Sequence, residues 1–388
     1  MIARLEEICA INMGQSPDSS TYNEDGNGLP FFQGNADFGE IYPAVRMWCS
    51  EPTKIAREKD ILISVRAPIG ALNIANCECC IGRGLAALTV NEDICAQEYL
   101  WHALSGKVDE LNSKGTGSTF KAINKKTLSE TEIPLPPIDE QRKIAAILDK
   151  VSDLIAKRRQ QLDKLDEMVK ARFVEMFGDV IQNTKLWPQY IFSDITTSRL
   201  GKMLDAKQQT GMCQYPYLAN FNVQWFRFEL DNLNEMDFNE ADRIEFELRD
   251  GDLLVCEGGE IGRCAVWHNE IQPCYFQKAL HRVRCKKEIV LPDYLAWWFK
   301  YNCDNKGFAA IEGAKATISH LPGAKLKALL VSVPPIEQQK QFATFVEQTE
   351  KSKTTISRSL EKLETLKKAL MQEYFCILKN LTNNLLLH

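Results

Sequence analysis

One stretch of this chain occurs twice. It runs from Pro136 to Phe177 and again from Pro334 to Phe375, at a constant offset of 198 (136 to 334, 177 to 375). A repeat with so long a period marks a duplicated module and not a stacked array. Each copy opens on Pro-Pro, which blocks helix upstream and pre-sets the entry of the helix that follows. In the first copy Ile144, Leu148, Val151, Ile155, Leu162, Leu165, Val169 and Met176 follow alternating steps of four and three, interrupted by Arg158 and Arg172. In the second, Phe342, Val346, Thr349, Lys353, Ile356, Leu360, Leu363, Lys367, Leu370 and Tyr374 do the same. These are heptad seams with basic interruptions. A helix of such a length reaches about 60 Å at 1.5 Å per residue and cannot bury its own stripe. Either stripe alone also fits a surface helix. Two copies in one chain predict that each covers the other, as an intramolecular coiled coil.

The 388 residues are enough for two or three domains. Apolar and charged fractions, 45% and 26%, are ordinary for a globular protein. The formal net charge of −5 does not point to nucleic acid, so any such contact requires a local basic patch. No run of about 18 apolar residues offers a membrane span, and the first residues carry acids where a secretion signal needs an apolar core. A cytoplasmic location without membrane association is therefore expected. The 13 cysteines are scattered and odd in number, as expected of free thiols in a reducing compartment.

Taken in order, residues 1–137 read as a globular domain, 138–178 as the first long helix, 179–334 as a second globular domain, 335–380 as the second long helix and 381–388 as a tail. Met1–Cys9 reads as a strand or a short helix. Asp60-Ile61-Leu62-Ile63-Ser64-Val65 is a strand, followed by a turn at Pro68 and Gly70. Asp252-Leu253-Leu254-Val255 and Ile261-Gly262 mirror it. Glu98-Tyr99-Leu100 recurs as Asp293-Tyr294-Leu295, and Gly115 to Lys121 as Gly313 to Ser319. Gly201 to Glu247 has no clear counterpart between Gly14 and Arg57. The frame is duplicated and the interior loops have diverged. Gly178 stands where a helix stop is expected.

Two segments of the form [LV]-P-P-I-[DE]-x-Q carry a resemblance: Leu135-Pro136-Pro137-Ile138-Asp139-Glu140-Gln141 and Val333-Pro334-Pro335-Ile336-Glu337-Gln338-Gln339. Each follows a Gly- and Thr-containing turn and precedes a long helix. In this arrangement the whole chain resembles the DNA specificity subunits of type I restriction–modification systems. The resemblance implies an α+β chain of two similar α/β target-recognition domains, separated by an antiparallel coiled coil of two long helices with pseudo-two-fold symmetry. It implies that each domain reads one half of a bipartite, asymmetric site in double-stranded DNA while the helices set the gap. It also implies two methyltransferase subunits docked alongside, which bind S-adenosylmethionine, with no cofactor in this chain. Restriction subunits can join such a complex.

Little in the sequence reads as catalysis. The Pro-Pro pairs lack the leading Asp or Asn and the aromatic residue of an adenine methyltransferase motif, and no phosphate-binding loop of the G-x-x-x-x-G-K-[ST] form occurs. Gly258-Gly259-Glu260-Ile261-Gly262 reads as a hairpin turn. Cys77, Cys79, Cys80 and Cys95 do not have zinc spacing, so no metal site is expected. His102 lies on an apolar helix and reads as packed.

DNA contact remains as the candidate chemistry. Phosphates need cations and backbone donors, and base edges need polar side chains held in loops. The residues that fit are Arg66, Arg83, Lys114, Gly115, Gly117, Ser118, Thr119 and Lys121 in the first domain. In the second they are Arg263, Lys278, His281, Arg282, Lys315, Thr317, Ser319 and His320. Each could equally be an ordinary surface charge. The outward helix faces at Gln141-Arg142-Lys143 and Arg158-Arg159-Gln160 fit partner docking or plain solvent exposure. A free-standing enzyme and a coiled-coil protein-interaction scaffold with no DNA role are the competing classes.

Overall fold

The computed structural model describes residues 1–117, 121–205, 209–309 and 320–376. It comprises two compact units, one of Met1–Gln160 with the chain from Ser357 onward, the other of Gln161–Ile356. The division cuts through both long helices and not at their ends, because each half of a helix packs into a different unit.

In the first unit the opening strand Ile2–Arg4 pairs antiparallel with Glu132–Pro134. A single helical turn, Leu5–Ile8, leads to strand Cys9–Met13, so both readings of the first nine residues are realised in succession. An antiparallel sheet follows in the order Cys9–Met13, Leu85–Val90, Ile61–Ser64, Leu72–Ile74. Its central strand is buried on both faces, which explains the unbroken apolar run. Ile61 and Ile63 face a core shared with helix Gln97–Ser105, and Leu62 faces Phe32, Ile81 and Leu85 beneath a second sheet. That second sheet contains one parallel pair, Leu29–Phe32 with Cys79–Ile81.

The second unit repeats this plan. Gln189–Ile191 pairs with Leu330–Ser332. The sheet order is Thr196–Leu200, Leu280–Cys285, Leu253–Cys256, Cys264–Val266. Leu253 and Val255 face the core beneath helix Pro292–Asp304, while Leu254 and Cys256 face the outer one. The stretch with no counterpart in sequence has one in part of its architecture. It builds an outer sheet that again holds a parallel pair, Gln214–Leu218 with Tyr275–Phe276. It differs in a helix, Glu240–Phe246, and a hairpin of Val223–Gln224 with Arg227–Phe228.

The long helices are Ile138–Phe177 and Ile336–Cys376. Gly178 stops the first with φ +72°, the left-handed conformation glycine adopts freely. In the first unit Ile144, Leu148, Val151 and Ile155 are buried, and Leu360, Leu363 and Leu370 are half-buried beside exposed neighbours. Ile144 and Leu148 share a core with Leu370 and Phe375, while Arg159 Nη2 meets Glu364 Oε1 at 2.7 Å, so the two segments run antiparallel. In the second unit Val169 and Phe342 are buried and Leu162, Leu165, Val346 and Ile356 half-buried. There Lys353 Nζ lies 2.7 Å from Asp166 and the Phe173 ring 5.5 Å from that of Phe342, again antiparallel. One register detail differs from the heptad. Phe173 and Phe177 take the buried places, and Arg172 and Met176 are only half-buried. A stripe of strict period 3.5 drifts on a helix of 3.6 residues per turn, and here the drift delivers two aromatic rings into the second unit's core.

The Gln of each motif serves the frame. Gln141 is fully buried. Its Oε1 accepts from Ala96 N at 2.9 Å, and its Nε2 donates to the carbonyls of Ile94 at 3.1 Å and Pro136 at 2.8 Å. Gln339 repeats this with Leu291 N at 2.8 Å, Ile289 O at 3.0 Å and Pro334 O at 2.8 Å. Gln141 is therefore removed from any outward docking face, because its amide binds the loop before helix Gln97–Ser105 and the Pro136 carbonyl at the entry of its own helix. Tyr99 and Tyr294 form a second matched pair, donating to Pro134 O at 2.8 Å and Ser332 O at 2.6 Å. Phe375 packs on Tyr99, and Phe177 on Tyr294.

Candidate nucleic-acid interface

In the first unit one residue gathers the candidate loops. Val65, just past strand Ile61–Ser64, donates its N–H to Gly84 O at 2.9 Å and accepts from Ile123 N at 2.9 Å. The loop carrying Arg83 is thereby held against the hairpin carrying Gly115, Gly117 and Lys121. Ala67 N donates to Lys121 O at 3.0 Å, and Arg66 bridges Ala122. Thr116 and Ala122 exchange bonds of 3.0 and 2.9 Å, which close the hairpin. Arg66, Arg83 and Lys121 are all exposed around this strand end. Gly84 is needed there, because a Cβ would collide with the Gln33 carbonyl. Exposed Gln33, whose carbonyl accepts from Gly84 N at 3.2 Å, joins the patch. The sequence reading missed it, and its only signal was its place in Phe31-Phe32-Gln33-Gly34. Lys114 is exposed, but its ammonium already lies 2.7 Å from Glu110.

The second unit uses the same arrangement. Glu257 N donates to Ala279 O at 2.9 Å, and Glu257 O accepts from Leu321 N at 2.6 Å. This joins the loop of Lys278 to the segment of His320, and Gly258 bridges His320. Lys278 stands where Arg83 stands in the first unit, and His320 where Ala122 stands. Both are exposed. The Gly258–Gly262 segment is the expected hairpin turn, joining the antiparallel strands Leu253–Cys256 and Cys264–Val266. Arg263 beside it is half-buried, with Nη2 donating to Asn220 O at 3.1 Å. Ser118, Thr119, Lys315, Thr317 and Ser319 lie outside the described residues.

Two candidates are placed inside the fold instead. His281 is 2% exposed, with Nε2 3.1 Å from the Leu321 carbonyl. Burial holds its pKa below the ordinary imidazole value, so it is neutral at pH 7. Arg282 is 9% exposed, and its guanidinium donates to the carbonyls of Glu245 at 2.8 Å and Glu247 at 3.0 Å. Burial lowers its pKa to about 10. Both sit on the central strand Leu280–Cys285, which sequence spacing could not distinguish from a loop rim.

The described residues form no metal-binding cluster. No group of three His, Cys, Asp or Glu side chains could hold an ion. Cys79 and Cys80 are neighbours on one strand, point to opposite cores, and are pushed up to about 12 and about 11 by burial. His102 is packed, with Nε2 2.7 Å from Asp149, and burial depresses its pKa despite that carboxylate. A carboxylate only accepts, so the neutral ring carries its proton on Nε2. No described helix is long and apolar enough to cross a membrane.

The family described as "Type I restriction modification DNA specificity domain" matches residues 1–166 and 185–368. The putative type I restriction enzyme MjaX specificity subunit of Methanocaldococcus jannaschii is 44% identical over 165 residues, covering 42% of this chain and 39% of that one. The type I restriction enzyme EcoBI specificity subunit of Escherichia coli is 21% identical over 348 residues, covering 82% of this chain and 73% of that one. Among solved structures, the type I restriction–modification S subunit from M. genitalium covers 97% of this chain and 96% of its own at a TM-score of 0.56. At 13% identity that likeness speaks for the fold alone.

Proposed function

Because the chain belongs to the type I restriction–modification DNA specificity family, we propose that it is a sequence-reading subunit with no catalytic chemistry of its own. Each unit reads one half of a bipartite, asymmetric site in double-stranded DNA. The long helices set the gap between the halves and dock two methyltransferase subunits, which supply S-adenosylmethionine. Restriction subunits join such an assembly to cut.

One observation carries this reading. Each unit brings exposed polar side chains from the same two loops to the same strand end: Arg83 and Lys121 beside Val65 in one, Lys278 and His320 beside Glu257 in the other. Cations at a loop rim neutralise phosphates, and the glycines between them allow the backbone to approach closely. The side chains beside them, Gln33 and His320, are of the kinds that hydrogen-bond base edges. With a net charge of −5 over the whole chain, binding by the isolated chain is weak and highly salt-sensitive, and the partners contribute much of the phosphate neutralisation.

The test is an exchange of residues Leu186 to Val333 for those of a relative, followed by methylome sequencing of the host. One half-site changes, and the other half and the gap stay. If both halves change together, the units do not read independently. If no split motif is methylated under either condition, the DNA reading itself fails.

A further inference from the structure

The Gly258–Gly262 turn stands beside Arg263 and next to the strand end that holds the loop of Lys278, and its side-chain contacts differ from those of its counterpart. In the first unit the turn after Ile61–Ser64 is met from outside by Asn112 Nδ2, 2.8 Å from Ile69 O, and by Ala67 N donating to Lys121 O at 3.0 Å, and it is also tied to its own strand. Ser64 Oγ lies 2.7 Å from the Arg66 carbonyl and 2.9 Å from that of Pro68. In the second unit Cys256 occupies that strand position, and its thiol faces the Asn220 carbonyl 3.9 Å away. No hydroxyl ties the turn to its strand there, and two side chains of the segment 220–225 reach it instead. Asn220 Nδ2 donates to Gly258 O at 3.1 Å, and the Trp225 indole N–H donates to Glu260 Oε1 at 2.8 Å.

Trp225 belongs to the tip of the hairpin of Val223–Gln224 with Arg227–Phe228. The next residue, Phe226, has φ +63°, a conformation that bulky side chains rarely adopt. Its ring stacks on Trp297 with centroids 4.4 Å apart and planes 20° apart. Trp297 in turn meets Phe342 edge-on at 5.9 Å. Lys300 Nζ lies 4.9 Å from the Trp225 ring centroid. The hairpin tip is therefore pinned to the unit's helices on one side and to the turn on the other. A backbone held at positive φ by a stacked aromatic pair marks a position that the surroundings over-determine.

We propose that Trp225 and Phe226 are positioning residues for base reading by the second unit, acting as a strut that sets where the Gly258–Gly262 turn stands. This rests on the DNA-reading function proposed above. Hydrogen-bond readout of base edges has narrow limits of distance and angle, so the supporting contacts of a reading loop govern discrimination more than overall affinity.

The experiment uses the full chain assembled with its methyltransferase partners, and duplexes with single base changes in either half of the methylated site. Trp225→Phe keeps the ring and removes the N–H. Phe226→Gly relieves the positive φ and deletes the stack. Glu260→Gln keeps an acceptor for the indole. Trp225→Phe and Phe226→Gly lower discrimination in one half-site by about tenfold, the worth of one hydrogen bond to a charged group. The other half-site, the gap and the salt dependence stay as in the wild type, and Glu260→Gln reads like the wild type. Equal loss of discrimination in both halves, or weaker binding to matched and mismatched duplexes alike, overturns the strut. So does a Trp225→Phe complex with unchanged discrimination, a result readable even where Phe226→Gly unfolds the hairpin. A wild-type complex that distinguishes no split site sinks the underlying reading instead.

Discussion

The turn at Arg66 and the turn at Gly258 occupy equivalent places, yet the first is tied to its strand by a serine hydroxyl that the second lacks, and the second is met by a strut from a neighbouring hairpin. Around them the frame is matched almost atom for atom. Gln141 and Gln339 make the same three bonds, and Tyr99 and Tyr294 cap equivalent carbonyls. Contacts that set the fold are the same in both units, and contacts that set the loops are not. Under the proposed function a duplicated reader requires this. The frame holds both reading edges in one local geometry, and the loops must differ for the halves of a site to differ.

The matched frame is the easiest part to break. Gln141→Ala and Gln339→Ala each leave one buried N–H and two carbonyls without partners, a cost of about 3 kcal/mol. Chemical denaturation followed by a probe in each unit measures it. Similar losses in the two units confirm the equivalence, and a variant without cost removes it. The unmatched turns predict a smaller effect. Ser64→Ala loosens the first turn by about 1–2 kcal/mol. Amide exchange at Gly70, whose N–H donates to Ser64 O at 2.9 Å, then accelerates while the Gly258–Gly262 turn is unaffected. Acceleration in both turns would mean they are coupled and that the contrast is false.

Much of the frame was legible in the sequence because it rests on periodicity and on a repeat. The heptad seam, the long helices and the strand at Ile61–Ser64 follow from spacing alone. The buried Gln of the motif was not legible. Its neighbours Arg142 and Lys143 are exposed, so the triplet looks like one polar face, and only the loop at Ile94–Ala96 shows where Gln141 turns. The candidate site divides similarly. Arg66, Arg83, Lys121, Lys278 and His320 are exposed at loop ends, where turn residues signalled them. His281 and Arg282 were misplaced because a buried basic residue on a central strand is paired through backbone carbonyls far away in sequence, Glu245, Glu247 and Leu321. No local pattern records such pairing.

Arg83 and Lys278 extend the comparison to binding. They occupy equivalent loops, and each acts as a phosphate cation in the proposed function. Arg83→Ala and Lys278→Ala therefore each lower the slope of log affinity against log salt by about one, with base preference intact in both half-sites. Duplex titrations of the assembled complex at several salt concentrations read it. A change of preference in either variant makes that residue a base reader and ends the equivalence.

The smallest effect concerns His102 and His281, buried histidines, one in each unit. Burial depresses both pKa values below 6.5, more than Asp149 raises His102 or the Leu321 carbonyl raises His281. The charges nearby are Asp149, Lys367 and Glu98 around the first and Glu257 and Lys327 around the second. An unfolded chain takes up a proton near 6.5, and the folded chain resists until lower pH. The stabilisation is therefore complete above 6.5 and is lost as pH falls from there toward the depressed folded values. His281→Gln flattens the acid slope of the second unit only, and His102→Gln that of the first. Thermal unfolding between pH 7.5 and 5, with a probe in each unit, separates them. If each variant flattened the slope of both units, the units would unfold as one, and the equivalence of their frames could no longer be measured one unit at a time.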